Sequence, residues 1–156
     1  MKGKMSSILF KIFELSQVAE IVGVSTATAK NWVNDRIFQI KPSIREADGK
    51  GSRSLFSEKD IYKFFFVNEA TKLGLRNKII KELLPLVDAE LEKSDNPWLI
   101  IRHTGGEWNV ALREGRSPMF ALPLEHTEFA LVLDLSVISG KIDEKASKIQ
   151  GKKTEE

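Results

Sequence analysis

Apolar residues recur at helical spacing near the start of the chain. Val18, Ala19 and Val22 fall on one side of a short helix. Ser16 is the predicted N-cap of this helix. Gly23 is well placed to end it in a left-handed conformation. The pattern therefore predicts a short amphipathic helix that ends abruptly at Gly23.

A second short helix is predicted directly after this stop, capped by Ser25 and ending at Asp35. Ala29 and Val33, spaced i, i+4, are its expected apolar anchors, and its other residues are mostly small and polar. A helix that only filled a core would be more apolar. Two short helices joined by a three-residue turn with glycine are typical of a helix-turn-helix motif.

Two extended runs then flank a basic tip rich in glycine. The first run covers residues 37–45, the tip is Asp48-Gly-Lys-Gly51, and the second run ends at Phe56. Extended runs separated by such a tip are typical of a β-hairpin. The sequence therefore predicts a basic hairpin after the two helices.

Two longer helices follow the hairpin. Ser57 and Asp60 form a predicted capping box that opens the third helix. At least two of the three phenylalanines at 64–66 are expected to face inward. A fourth helix begins at Arg76, and Pro85 is expected either to kink it or to start a new helix.

The hydrophobic period changes after Ser94–Pro97, the clearest boundary in the chain. Extended runs, with a Gly-Gly turn between the first two, are predicted at 98–102, 108–112, 120–124 and 129–135. Trp98 and Trp108 lie across the hairpin and are expected to form a stabilising pair or a small core rather than a ligand cage. A C-terminal helix is predicted at 136–149.

Net charge alone says little, but its distribution along the chain is informative. There are 24 Lys and Arg against 22 Asp and Glu, so the net charge is +2. Residues 1–75 carry 12 basic against 8 acidic side chains, and residues 76–156 carry 12 against 14. A basic first half and a mildly acidic second half suggest two separate roles.

The composition excludes several classes of function. The chain has no cysteine, which excludes disulfides, thiolate metal sites and cysteine nucleophiles. His103 and Glu107 flank the Gly-Gly turn, where a solvated turn is expected rather than acid–base chemistry. No apolar run approaches the roughly 18 residues that span a bilayer. The expectation is a soluble, cytoplasmic protein without enzymatic activity, cofactor, metal or membrane partner.

The stretch Phe13–Leu84 resembles the MerR-type winged helix-turn-helix DNA-binding domain. Three segments in register carry the resemblance: FELSQVAEIVGVSTATAKNWVNDRIF, RSLFSEKDI and KLGLRNKIIKELL. The Asn31-Trp32 pair is also similar to excisionase-like proteins and phage terminase small subunits. Typical family members dimerise through a long coiled coil after the fourth helix, whereas Pro85 and Asp95–Pro97 leave only a truncated helix here.

The resemblance implies an N-terminal winged helix-turn-helix, and the extended runs after Pro97 predict a small antiparallel β-rich module followed by a C-terminal helix, so the expected fold class is α+β. The predicted units are an extension at 1–12, the DNA-binding domain at 13–84, a short helix and linker at 85–97, a β-rich dimerisation or partner-binding module at 98–149, and a polar tail at 150–156.

The resemblance also implies a DNA surface made of a recognition helix at about 25–35 and a basic wing at about 41–56. Short hydroxyls for bases or phosphates are Ser25, Thr26 and Thr28, and Asn31 is a candidate for a bidentate contact to adenine. The expected phosphate and wing contacts are Lys30, Lys41, Arg45, Lys50 and Arg53. Trp32 has two interpretations, a phosphate contact or a core residue.

Three functions remain open at this stage. The first is a sequence-specific regulator of transcription that binds double-stranded DNA as a homodimer, in a bacterium or its phage, with the effector unknown. The second is an architectural factor in phage or plasmid recombination or packaging. The third is a protein–protein adaptor whose helix-turn-helix no longer binds DNA.

Overall fold

The structure is a computed structural model that describes residues 11–34, 38–48, 53–114 and 127–155. The helices of these residues are α1 (Leu15–Val22), α2 (Thr26–Asn34), α3 (Glu58–Lys72), α4 (Asn77–Lys93) and α5 (Leu135–Glu155). The strands are β1 (Phe13–Glu14), β2 (Leu55–Phe56), β3 (Trp98–Thr104), β4 (Glu107–Arg113) and β5 (Thr127–Asp134). The mixed α+β fold predicted from the sequence is confirmed.

The turn between α1 and α2 follows the prediction, but the start of α1 does not. Gly23 has φ +87°, and its N–H donates to the carbonyl of Ala19 at 2.9 Å, so the predicted left-handed stop is confirmed. The predicted N-cap Ser16 is wrong, because Glu14 caps the helix in a reciprocal capping box with Gln17. The Glu14 carboxylate accepts from the Gln17 N–H, and the Glu14 N–H donates to Gln17 Oε1 at 2.9 Å. Glu14 rather than Ser16 is therefore the N-cap.

The wing is held by three short antiparallel segments. Phe13 pairs with Phe56, and Glu14 with Leu55, so β1 forms a two-stranded sheet with β2. The N–H of Leu55 donates to the carbonyl of Arg45 at 2.8 Å, which joins the two arms of the predicted hairpin. The tip at 49–52 lies outside the described residues.

An aromatic cluster connects β2 to α2 and α3. Phe64, Phe65 and Phe66 on α3 are all buried, as the helical spacing predicts for at least two of them. The Phe64 ring lies 5.6 Å from that of Phe56, edge to face, and 6.2 Å from that of Trp32. The predicted capping box of Ser57 and Asp60 is confirmed.

Pro85 lies inside a single continuous helix, α4. The alternative that it starts a new helix is therefore wrong. Pro85 and Lys81 are both exposed, so water can bond the Lys81 carbonyl that the proline leaves without a helical donor. The helix ends at Lys93, well short of a long coiled coil.

The C-terminal sheet is antiparallel, with the strand order β4-β3-β5. The predicted hairpin is confirmed, but the predicted pair of tryptophans is wrong: Trp98 lies opposite Arg113, and Trp108 lies opposite His103. The ring of Trp108 packs 4.7 Å from that of His103 and 5.9 Å from that of Phe129. The strand predicted at 120–124 lies outside the described residues.

One hydrophobic core runs from the helix-turn-helix into the sheet. Buried side chains of both halves belong to it, among them Val18, Phe65, Leu99, Ile101 and Ile142. The C-terminal helix, α5, packs against α1 and α3 and reaches Glu155, further than the predicted end at 149. Residues 150–155 of the expected polar tail therefore continue this helix.

Polar contacts fix α5 on the N-terminal helices. Ser139 Oγ donates to Glu58 Oε1 at 2.7 Å, and Lys11 Nζ lies 2.9 Å from Asp143 Oδ1. Tyr62 Oη donates to the same Glu58 oxygen at 3.0 Å. Burial, followed by the nearby charge of Glu58, raises the pKa of the Tyr62 phenol, so it stays a neutral donor.

Ser139→Ala should therefore lower the free energy of unfolding by about 1–2 kcal/mol, because a hydrogen bond to a carboxylate is lost at the α5 contact. Urea denaturation of the full chain measures this loss. The matched control is Ser147→Ala. The exposed Ser147 hydroxyl donates to the Asp143 carbonyl of its own helix rather than to another helix. Equal losses in the two variants would show that the Ser139 contact contributes nothing specific.

Candidate DNA-binding surface

The predicted recognition helix, α2, has one face in the core and one in solvent. Ala29 is fully buried on the inner face. Val33, the second anchor expected from the sequence, is only half-buried, and Trp32 takes that place in the core. Most of the predicted contact residues of this helix are exposed, namely Ser25, Thr26, Lys30 and Asn31, whereas Thr28 is half-buried.

Trp32 is 8% exposed and packs against Phe64. Its main-chain carbonyl accepts from the N–H of Ile40 at 3.0 Å, which ties the chain after α2 back to the helix. Of the two interpretations of this residue, the structure favours the core residue.

The N-terminal end of α2 carries a small hydroxyl network. The Thr28 N–H donates to Ser25 Oγ at 3.1 Å, which confirms Ser25 as the N-cap. Ser25 Oγ in turn donates its proton to Thr28 Oγ1 at 2.9 Å. The Ser25 proton is therefore used within the helix, while the Thr28 proton is available to an outside acceptor.

The exposed face of α2 and the wing line two adjoining clefts. One is lined by Lys30, Val33 and Asn34 of the helix, and by Ala47, Arg53 and Ser54 of the wing. The other is lined by Val33, Asn34, Lys41, Glu46, Ala47 and Ser54. The structure thus brings Lys30 and Arg53 into one cleft and places Lys41 at its neighbour. Lys50 lies outside the described residues.

The two wing arginines have different environments. Arg45 donates through Nε and Nη2 to the Arg53 carbonyl, at 3.2 and 3.0 Å, so part of its guanidinium ties the two arms together. Arg53 Nη1 lies 2.8 Å from Glu14 Oε2, and its side chain is 72% exposed. Glu14 therefore caps α1 and also orients a predicted phosphate contact.

Residues 13–86 match the family described as MerR HTH family regulatory protein. This segment is a MerR-type helix-turn-helix. Its bounds agree with the resemblance identified at 13–84, and they include the predicted recognition helix, the predicted wing and the start of α4. No curated protein matches the chain.

A buried carboxylate fixes the wing of this MerR-type segment. Asp60 is 1% exposed, and its Oδ2 accepts from the N–H and Oγ of Ser43 at 2.9 and 2.7 Å. Asp60 Oδ1 lies 3.2 Å from Nζ of Lys63, which also contacts Asp88 of α4 at 2.9 Å. The sequence indicated Asp60 only as a capping residue, since its partners at Ser43 and Lys63 depend on how the wing packs.

The ammonium group of Lys63 stays charged in this network. Burial acts to lower its pKa, but the hydrogen bond to Asp88 and the charge of Asp60 outweigh burial, so the pKa is raised above 10.5. A raised lysine pKa stabilises the fold below the unfolded pKa, and this contribution is lost as the pH rises through the folded value. The link between wing and α4 is therefore intact at neutral pH.

Two kinds of feature are absent from the part of the chain that the structure describes. No helix there is long and apolar enough to cross a membrane. No group of three or more metal-binding side chains occurs among the same residues.

Proposed function

We propose that the protein is a transcription regulator that binds double-stranded DNA sequence-specifically as a homodimer. The recognition helix is α2, and the basic wing is the segment 41–56. The proposal rests on the two adjoining clefts that α2 and the wing line together. There the exposed polar face of α2 meets the wing within a MerR-type segment. A recognition helix in the major groove beside a wing over the backbone fits this arrangement.

Base reading is assigned to the exposed polar face of α2. Asn31 is exposed, and its amide can bond the N6 and N7 edge of adenine in the major groove. Thr26 is exposed at the first turn, and the Thr28 hydroxyl keeps a free proton. Ser25 acts mainly as the cap that holds this turn, since its proton goes to Thr28.

Backbone contacts come from the basic side chains around the clefts. Lys30, Lys41 and Arg53 are exposed, and Arg45 keeps guanidinium donors beyond the two that bond the wing backbone. Lys50 adds a further charge at the tip. Such contacts position the protein on the duplex without reading its sequence.

Lys30→Ala should reduce the slope of log affinity against log salt concentration by about 0.9 per protomer, because one phosphate contact is lost. Fluorescence anisotropy with a labelled duplex, repeated over a salt series, measures the slope. The control Lys148→Ala removes the same charge from an exposed position on α5. If both variants keep the parent slope, Lys30 does not contact DNA.

Sequencing of the DNA that copurifies with the protein from cells tests the function itself. Enrichment beside promoters supports the regulator. Enrichment at a phage or plasmid end instead indicates an architectural role in recombination or packaging. Absence of enrichment indicates an adaptor. Enrichment at a phage or plasmid end and absence of enrichment would each overturn the proposal.

A further inference from the structure

In the described part of the chain, the outer edge of β4 lacks the proline, lysine and β-bulge that often protect an edge strand. Among the described residues, β3 is the one strand that pairs with β4. The strand Glu107–Arg113 contains no proline or lysine, and its pairing with β3 shows no bulge. The opposite strand, β5, has a register shift beside His103 and Thr104. An unprotected regular edge is a template for pairing with another chain.

The apolar inner face of the sheet continues to this edge. Leu99 and Ile101 of β3 are fully buried in the core, and they lie opposite Leu112 and Val110 of β4. Leu112 is buried, whereas Val110 and Trp108 are only half-buried. α4 packs against β4, but Val110 and Trp108 remain partly exposed, so the inner face is less completely covered along β4 than over β3.

We propose that β4 pairs in antiparallel orientation with β4 of a second copy, about a two-fold axis at Val110. This inference deepens the homodimer of the proposed function and rests on it. The pairing would join two three-stranded sheets into one of six strands. It would also supply a dimer contact that needs no long coiled coil, since α4 ends at Lys93.

The sequence of β4 is self-complementary in this register. Val110 is the middle residue of the strand, so a two-fold axis there pairs all seven residues. Glu107 then lies opposite Arg113 of the partner subunit, and this charge pair occurs twice by symmetry. Trp108 lies opposite Leu112 of the partner subunit on the inner face, which extends the apolar surface across the contact. Both charged residues are exposed in the single chain.

The absence of cysteine from the chain allows a clean crosslinking test on the full-length protein. Directly opposite residues of antiparallel strands have Cα atoms about 4.5–5.5 Å apart, within reach of a disulfide. Val110→Cys should therefore give a covalent dimer on mild oxidation. In the control Ala111→Cys, the two Cα atoms would lie about 8 Å apart, too far for a disulfide.

Exchanging the charges of Glu107 and Arg113 provides a second test that needs no disulfide. Glu107→Arg or Arg113→Glu alone should weaken the dimer about tenfold, because two attractive pairs become repulsive. The double variant Glu107→Arg/Arg113→Glu should restore the parent dissociation constant in sedimentation equilibrium. Failure of this restoration would overturn the register.

These experiments separate the interface from the proposed function. A monomeric parent protein, or equal crosslinking of the Val110→Cys and Ala111→Cys variants, would overturn the β4 interface. So would a parent dimer in which Val110→Cys does not crosslink. Anisotropy with duplex DNA is measured on the same samples. Absence of DNA binding by the parent protein, together with specific crosslinking of Val110→Cys, would overturn the proposed function and leave the interface intact.

Discussion

Asp60→Ala should lower the free energy of unfolding by about 3–5 kcal/mol, the cost of breaking a buried ion pair by removing one partner. The carboxylate of Asp60 is 1% exposed and accepts from the N–H groups of Ser43 and Ser57, both at 2.9 Å. The substitution leaves these two donors without their acceptor and removes the buried carboxylate beside Lys63, whose remaining carboxylate partner is the half-exposed Asp88. Urea denaturation followed by circular dichroism measures the loss.

The control for this experiment lies on the other side of Lys63. Asp88→Ala removes a carboxylate whose side chain is 53% exposed, and Lys63 keeps Asp60 as its partner. We expect a loss below about 1 kcal/mol, because an exposed ion pair contributes little. Equal losses in the two variants would contradict the central role of Asp60. Because Ser43 anchors one arm of the wing to Asp60, Asp60→Ala should also weaken DNA binding under conditions where the variant is folded.

Features set by neighbouring residues in sequence could be predicted. The capping box of Ser57 and Asp60 spans four residues, and the stop at Gly23 depends on one glycine in a left-handed conformation. The register of the C-terminal hairpin also follows from local sequence. The two-residue turn at Gly105 and Gly106 places Thr104 opposite Glu107, and counting back places Trp98 opposite Arg113. The expected pairing of Trp98 with Trp108 is inconsistent with that register.

Features that join distant segments could not be predicted in this way. β1 has only two residues and exists because Phe13 and Glu14 meet β2 more than 40 positions later. The docking of α5 depends on Ser139 reaching Glu58 across 81 positions, which no local pattern indicates. The predicted separation into a basic DNA-binding half and an acidic module also misses the shared core. The candidate surface was predicted residue by residue from α2, but the support from Glu14 and Asp60 required the tertiary structure.

Trp32→Ala should cost about 3–5 kcal/mol of stability, the usual effect of truncating a large buried aromatic side chain. The indole is 8% exposed and lies beside Phe64, so its removal leaves a cavity between α2 and α3. Trp32→Phe keeps most of the volume and should cost less than about 1.5 kcal/mol. Urea denaturation of the two variants measures this difference.

The neighbouring residue provides the matched control for function. Asn31→Ala removes an exposed side chain and should leave stability within about 0.5 kcal/mol, while weakening binding to the target duplex by about 1–3 kcal/mol. Trp32→Phe should show the reverse pattern, with a modest loss of stability and parent affinity for DNA. If Trp32 contacts a phosphate instead, Trp32→Phe loses affinity and Trp32→Ala keeps the parent stability. Adjacent positions on α2 thus separate the face that builds the core from the face that we propose reads DNA.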